Sequence, residues 1–294
     1  MDDALLQWTV REAAPGAEVV EVRGLRDGGS PWLVTFASGE GVVVRSGSAD
    51  DHALFATEAA ALEVTSDHDA VPTPRLLAVS DRPAMIIERL PGKSRIPDTA
   101  PVARLRALGA AVVALQSIEV DGAVPALPRR TRPISGVDFA ALRRAEPVRP
   151  LLAEAEQRVA AMPVPGPTTG LVHGDLWQGN ALWDGHTLTG LVDWDCAGAG
   201  PAGVDLGSLR CDAALCYGPG AADHVLDGYR EAAGRPADDP ADDVAYWDTV
   251  AALSTPSDMG WFVDALHGQG RTDLTRALLV ERRDAFLEAA LAGL

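Results

Sequence analysis

The stretch LVHGDLWQGN, Leu171 to Asn180, places a histidine, an acid two residues later and an amide five residues after that, with Gly174 beside the acid and Gly179 beside the amide. The chain continues as ALWDGHTLTGLVDWD, where Asp184-Gly185 between two apolar, β-prone runs predicts a tight hairpin. A hairpin sets its two open ends side by side. Asn180, just before the first strand, and Asp193, just after the second, are therefore expected to meet in space, with Asp175 close by on the preceding loop. Three oxygen-bearing side chains at one edge suit a hard divalent cation. Magnesium takes one or two carboxylate or amide oxygens and fills its remaining positions with water and substrate phosphates. A further acid not committed to the metal can accept a proton from an attacking hydroxyl.

A His-x-Asp-x-x-x-x-Asn run followed by a metal-binding Asp beyond a hairpin is the arrangement used in kinase-type phosphoryl transfer. Here it is His173, Asp175, Asn180 and Asp193. Taken singly, Asp175 can cap a turn and Asn180 can start a strand through side-chain to backbone bonds. The ordered set points to catalysis, with Asp175 as the base and Asn180 and Asp193 as magnesium ligands. His173 reads as a buried organiser of the loop rather than a base. Asp195 stays open between a supporting acid and an auxiliary ligand, and Asp205 reads as a structural anchor.

The elements that must position this cluster divide the chain in two. Residues 1 to about 90 read mostly as strands with one helix. Pro31 to Gly47 gives two β-rich runs around ASGEG, and the alanine-rich Leu54 to Asp67 predicts a helix. RLLAVS and PAMIIERL supply two more strands around DRP, and Pro91-Gly92 marks a boundary. From Pro101 the pattern is helical, interrupted near Pro147 and Pro150, and Pro163 to Gly170 is a loop that delivers the chain into the quoted segment.

Composition narrows the partners. The 294 residues carry a net charge of −17, which makes nucleic acid a poor partner for the whole surface; it would attract a cationic small molecule, and solubility or coding bias accounts for it equally well. Cys196, Cys211 and Cys216 form no CxxC pair and read as reduced thiols. The acidic start MDDALLQWTV is unlike a signal peptide, and no apolar run is long enough to span a bilayer. A cytoplasmic location without a membrane partner is expected.

LVHGDLWQGN, GLVDWDCAGAGPAGVDLGSL and the strand-rich first third, in this order, resemble the aminoglycoside phosphotransferase and choline kinase-like family of the protein-kinase-like fold. The resemblance implies a bilobal α+β architecture. Residues 1–91 would form a nucleotide-binding N-lobe, a small antiparallel β-sheet with one helix. Residues 92–294 would form a larger, mainly helical C-lobe with the catalytic loop, metal site, β-hairpin and acceptor-binding helices. ATP or GTP with Mg2+ would sit between them. Asp175 matches the family's base, Asn180 and Asp193 its magnesium ligands, and Glu58 the acid that pairs with a cation on a strand. Met85 to Gly92, MIIERLPG, looks like the hinge that contacts the adenine through its backbone, which places the main chain of Glu88 and Leu90 there.

Two departures stand out. The strand GVVVRSG offers Arg45 where kinases use lysine, and the only lysine, Lys93, lies past the hinge. GLRDGGSPWLV has Gly28, Gly29 and Ser30 but no full GxGxxG, although its amides can cover a phosphate. Gln116, where relatives often have histidine, reads as packing. The implied reaction moves the γ-phosphoryl group to a hydroxyl of an aminoglycoside-like or other small acceptor. Ten acids between Ala221 and Asp264, and the aromatics of Tyr246 to Phe262, suggest a pocket for a cationic acceptor. Rival readings are a metal-dependent phosphohydrolase using Asp175, Asp193 and Asp195, and a catalytically silent nucleotide-binding protein.

Overall fold

The structure, a computed structural model, describes residues 1–26, 29–66, 68, 71–120, 127–166, 170–236 and 243–294. The chain opens with helix α1 (Asp3–Ala13), followed by β1 (Val19–Arg26), β2 (Gly29–Phe36), β3 (Gly41–Ser46), α2 (His52–Ser66), β4 (Leu76–Val79) and β5 (Ala84–Glu88). The strands form one antiparallel sheet in the order β1-β2-β3-β5-β4.

Strand alternation explains where the sheet sends its side chains. Val42 and Val44 on β3, with Val34, Phe36 and Ile86, face α1 and pack against its Leu5, Leu6 and Trp8. Val43, Met85 and Ile87 face the other way, onto Ala61 and Leu62 of α2. Arg45 shares the parity of Val43 and so points to the α2 side. The entry to α2 is fixed by Ser48, whose N–H and hydroxyl both donate to the Asp51 carboxylate (2.6 and 2.9 Å).

The first ninety residues thus hold two helices where the sequence reading predicts one. The added element is α1, started by Asp2, which accepts from Leu5 N at 2.7 Å. Its stability comes from covering the outer face of the sheet rather than from its own short sequence, which contains β-branched residues.

Beyond the sheet come α3 (Val102–Gln116), α4 (Phe139–Arg144), α5 (Pro150–Ala160), β6 (Leu171–Val172), β7 (Ala181–Asp184), β8 (Thr187–Leu191) and β9 (Gly198–Ala199). Then follow α6 (Gly203–Tyr217), α7 (Ala222–Ala232), α8 (Val244–Leu253), α9 (Gly260–Gly268) and α10 (Arg276–Gly293). One core joins α2, the sheet, α3, α6 and α7 through residues such as Leu62, Leu108, Leu209 and Val225. A second joins α5, α6 and α8 to α10. The two-stranded pair β6-β9 is bridged by Gln116, whose Nε2 donates to Leu171 O and Gly200 O (3.1 and 3.2 Å). That residue is a polar cross-link rather than simple packing.

Helices α3 and α7 cross where glycine is required. A Cβ on Gly109 would lie 2.0 Å from Val225 O, and one on Gly228 would lie 2.0 Å from Arg106 O. Alanine normally gains about 1 kcal/mol over glycine in a helix. Overlap with backbone, which cannot rotate away, costs about 1–3 kcal/mol or more. Gly109→Ala is therefore expected to lower the melting temperature. An unchanged or raised value in a thermal denaturation would contradict this close crossing.

Candidate active site

The β7-β8 hairpin forms where predicted but turns one residue later, at Gly185-His186, with Asp184 paired to Thr187, and its open end does what the spacing requires. Ala181 pairs with Leu191, and Val192 N donates to Asn180 O at 2.9 Å. Asn180 and Asp193 thereby stand together. The preceding loop folds back to the same edge because the Asp205 carboxylate accepts from His173 N (2.7 Å) and Gly174 N (2.9 Å). Asp205 is the anchor the sequence suggested.

Gly174 has φ 80°, and a Cβ there would lie 2.1 Å from Cys196 O, so the residue beside the acid must be glycine. At Gly179 a Cβ would meet the Trp177 ring at 2.2 Å. His173 is fully buried, its ring 4.4 Å from that of Trp194. Its Nε2 donates to Val192 O at 3.1 Å, and its Nδ1 accepts from Asp175 N at 3.4 Å. Burial pushes its pKa down to about 4, so it is neutral and organises the loop.

Asp175, Asn180 and Asp193 line one cleft of about 600 Å³. Asn180 Nδ2 donates to Asp175 O (2.9 Å) and Asp175 Oδ2 (3.2 Å). Its Oδ1 therefore turns the other way. That atom is buried and has no partner among the described residues. Asp193 sits at φ 72°, a left-handed conformation that costs a residue bearing a Cβ roughly 1–2 kcal/mol. Its Oδ1 lies 2.8 Å from Arg45 Nη1.

The same Arg45 nitrogen donates to Glu58 Oε1 at 2.6 Å, and Nη2 lies 3.6 Å from Asp195 Oδ2. The strand parity of β3 and the buried position of Glu58 on α2 make this pair. Burial opposes the guanidinium's charge, but Asp193, Glu58 and Asp195 outweigh it and hold Arg45 firmly protonated.

The carboxyls respond to burial and to one another. Burial first, then Asp193 and Asp195, raises Asp175 to about 7. Burial raises Glu58 to about 7 despite Arg45. Asp193 is held below its ordinary range because Arg45 and Arg26 outweigh its burial. Asp195 is raised by burial and by Asp193, and it stands beside Arg45. Glu58, Asp193 and Asp195 gather around Arg45, Arg26 adds a second cation on Asp193, and Asp175 feels the Asp193 and Asp195 carboxylates.

Not every expected residue joins the cluster. Ser30 accepts from Ser46 N at 2.9 Å, so it braces the strand that carries Arg45. Gly29 has φ 121° and packs under the Trp32 ring. Gly28 lies outside the described residues. Glu88 turns its side chain to Arg75 Nε (3.1 Å), away from the cleft. The Leu90 side chain reaches the hairpin, where a Cβ on Gly190 would lie 2.5 Å from its Cδ1. Thr189 donates to Pro91 O at 2.6 Å, so the expected hinge segment rests on the hairpin.

The acids counted toward a cationic pocket are mostly engaged elsewhere. Asp223 and Asp248 pair with Arg210, Asp227 and Glu231 with Arg106, and Asp258 with Arg276. Asp238, Asp239 and Asp242 lie outside the described residues. Asp264 lines the cleft and is exposed, while Tyr246 and Trp247 are core. Trp261 and Phe262 line the cleft, with ring centroids 4.6 Å apart. Sequence reading missed Arg26, whose Nη2 lies 2.9 Å from Asp193 Oδ2, and Trp177. A cation beside the DGG run in the sequence was the available signal for Arg26.

A family model described as the phosphotransferase enzyme family matches residues 21–253. The chain belongs to this family. It is a small-molecule phosphotransferase with the family's kinase-like fold. No curated protein sequence matches it. Among solved structures, macrolide 2'-phosphotransferase MphH from Brachybacterium faecium is 22% identical with a TM-score of 0.65, covering 100% of this chain and 98% of that one. The GDP and kanamycin complex of APH(2")-IIia is 18% identical with a TM-score of 0.64, over 99% of each chain. Amicoumacin kinase hAmiN, in complex with AMP-PNP, Ca2+ and Ami, is 16% identical with a TM-score of 0.63, over 98% of this chain and 94% of that one.

All three cysteines of the phosphotransferase are buried and free. No helix among its described residues is long and apolar enough to cross a membrane. Nor do those residues hold a cluster of three or more His, Cys, Asp or Glu side chains fit for a metal. A cation at this edge would bind through the Asp193 carboxylate and Asn180 amide alone, leaving its other positions to phosphate and water.

Proposed function

We propose that the protein transfers the γ-phosphoryl group of ATP or GTP to a hydroxyl of an amphipathic small molecule that presents an apolar face and an amine. The observation that carries this reading is the shared cleft. It joins Asp175, Asn180 and Asp193 to Trp177, Trp261, Phe262 and Asp264. The nucleotide complexes of amicoumacin kinase and APH(2")-IIia support a nucleotide co-substrate.

The residues present fit a divalent cation. Asn180 Oδ1 is a buried acceptor without a partner among the described residues, and Arg45 and Arg26 hold Asp193 below its ordinary range despite its burial. When bound there, magnesium offsets charge on the transferring phosphate. Asp175 orients the acceptor hydroxyl and takes its proton as the new oxygen–phosphorus bond forms and the bond to the leaving nucleoside diphosphate breaks. Asn180 holds Asp175 in place through its two donated bonds. Arg45, set by Glu58, provides the fixed positive charge for the phosphates. Most of the acceleration then comes from alignment and preorganised charge. The bases would rest between the sheet of residues 1–91 and the helices beyond, along Glu88 to Leu90.

With most nearby acids paired and Trp261 exposed to the cleft, the acceptor side is more apolar than a polyamine site needs. A nucleotide-consumption assay against macrolides, polyamine aminoglycosides and amino alcohols, with magnesium present, tests this. Macrolide-like acceptors carrying one amino sugar are expected to give the highest kcat/KM. Trp261→Ala is expected to raise the acceptor KM about tenfold, the worth of a half-buried aromatic contact, without changing the nucleotide KM. Phosphate release without acceptor, faster than transfer to any acceptor, would favour a phosphohydrolase. Nucleotide binding without turnover across the panel would favour a silent binding protein.

A further inference from the structure

Both carboxylate oxygens of Asp193 are engaged by cations: Arg45 Nη1 lies 2.8 Å from Oδ1 and Arg26 Nη2 lies 2.9 Å from Oδ2. A divalent ion approaching Asp193 meets two guanidinium groups, which repel it and occupy the lone pairs it needs. The two arginines are held very differently. Arg45 is 18% exposed and has Glu58, Asp193 and Asp195 around it. Arg26 is 59% exposed, ends β1, and has Asp193 as its one ion-pair partner among the described residues. Arg26 reaches Asp193 from the solvent side and can swing away, although Asp193 itself is only 16% exposed. Arg26 also lines the cleft, from the end of β1, whereas Asp175 and Asn180 come from the segment between β6 and β7.

We propose that Arg26 is a phosphate-positioning residue that exchanges partners. It holds Asp193 in the empty cleft, leaves it as metal and nucleotide enter together, and transfers its fork to non-bridging phosphate oxygens. This inference rests on the phosphotransferase site described above and adds a residue to it. The exchange has a chemical rationale in this chain. The strand cation is an arginine tied to three acids, so less of its charge is available to phosphate. A second guanidinium from the end of β1 restores it, and the planar fork matches two phosphate oxygens at once. Metal and nucleotide binding are then coupled through Arg26. Metal alone must displace it, whereas nucleotide gives it a new partner.

The test is a Mn2+ titration followed by electron paramagnetic resonance, with and without AMP-PNP, on the full chain and on Arg26→Ala and Arg26→Lys. In the unaltered protein AMP-PNP is expected to tighten Mn2+ binding by a factor in the usual range for coupled sites, about 5–150. Arg26→Ala is expected to bind Mn2+ alone a few-fold more tightly and AMP-PNP more weakly, so that the coupling factor falls toward one. Arg26→Lys, with charge but no fork, is expected to keep the competition with Mn2+ and to recover only part of the AMP-PNP affinity. A role confined to surface pairing would leave the coupling factor of Arg26→Ala unchanged, and that result overturns the proposal while the kinase reading stands. Absence of Mn2+ binding with AMP-PNP in every variant would remove the kinase reading, and this inference with it.

Discussion

Asp175→Asn is expected to lower kcat by about 10²–10⁴, the usual contribution of a positioned general base, while nucleotide affinity changes little. Asparagine keeps the size of the side chain and an oxygen that can accept from Asn180, so the loop should hold its shape. What it loses is the proton acceptor. The pH dependence supplies a second signature. Burial, followed by the Asp193 and Asp195 carboxylates, raises the Asp175 carboxyl to about 7 in the free protein. A carboxyl raised in this way is protonated below that value and becomes a base above it. The kcat/KM of the unaltered enzyme should therefore rise with pH through the neutral range, where Glu58 also titrates, and then level off, because that ratio reports the free enzyme. The residual activity of Asp175→Asn should lose the Asp175 step and keep only that of Glu58. Steady-state kinetics between pH 5.5 and 8.5 would show it. A variant with normal kcat and impaired nucleotide binding would assign Asp175 to the nucleotide instead.

Asp193→Ala should produce the other large loss, and of a different kind. In the proposed site Asp193 supplies the charged oxygen ligand, and Asn180 alone would be a weak magnesium ligand. The loss of a few kcal/mol of charge stabilisation on the phosphate corresponds to about 10³ or more in kcat/KM, at 1.36 kcal/mol per factor of ten. Isothermal titration with Mn2+ and AMP-PNP together should show binding retained in Asp175→Asn and abolished in Asp193→Ala. The fold itself should survive. Alanine at φ 72° costs roughly 1–2 kcal/mol, but removing Asp193 also relieves its repulsion of Asp175 and Asp195. Nucleotide consumption by Asp193→Ala at the unaltered rate would show that the metal is held elsewhere.

What the sequence made legible follows from the range of the interactions involved. The hairpin was readable because Asp184-Gly185 is a local signal and its consequence, Asn180 next to Asp193, is pure geometry. The Arg45–Glu58 pair was legible through the resemblance, and strand parity then gave its physical cause. Arg26 was not readable because its partner is 167 residues away and the contact depends on how the sheet sits over the hairpin. The acids of the last third misled for a similar reason. Charge counting sees Asp227 and Glu231 but not Arg106 on the neighbouring helix, which takes both. Helix α1 escaped because its stability comes from the sheet it covers. The need for glycine at Gly109 and Gly228 is set by the crossing of their helices, which no local signal carries.

The most direct test of the account is ³¹P nuclear magnetic resonance of the protein incubated with ATP, magnesium and an accepted small molecule. The account predicts a phosphomonoester of the acceptor and nucleoside diphosphate in equal amounts. Both should require magnesium, and both should be lost in Asp193→Ala. Inorganic phosphate as the sole new phosphorus species, or an ester formed at the same rate without a divalent cation, would contradict it.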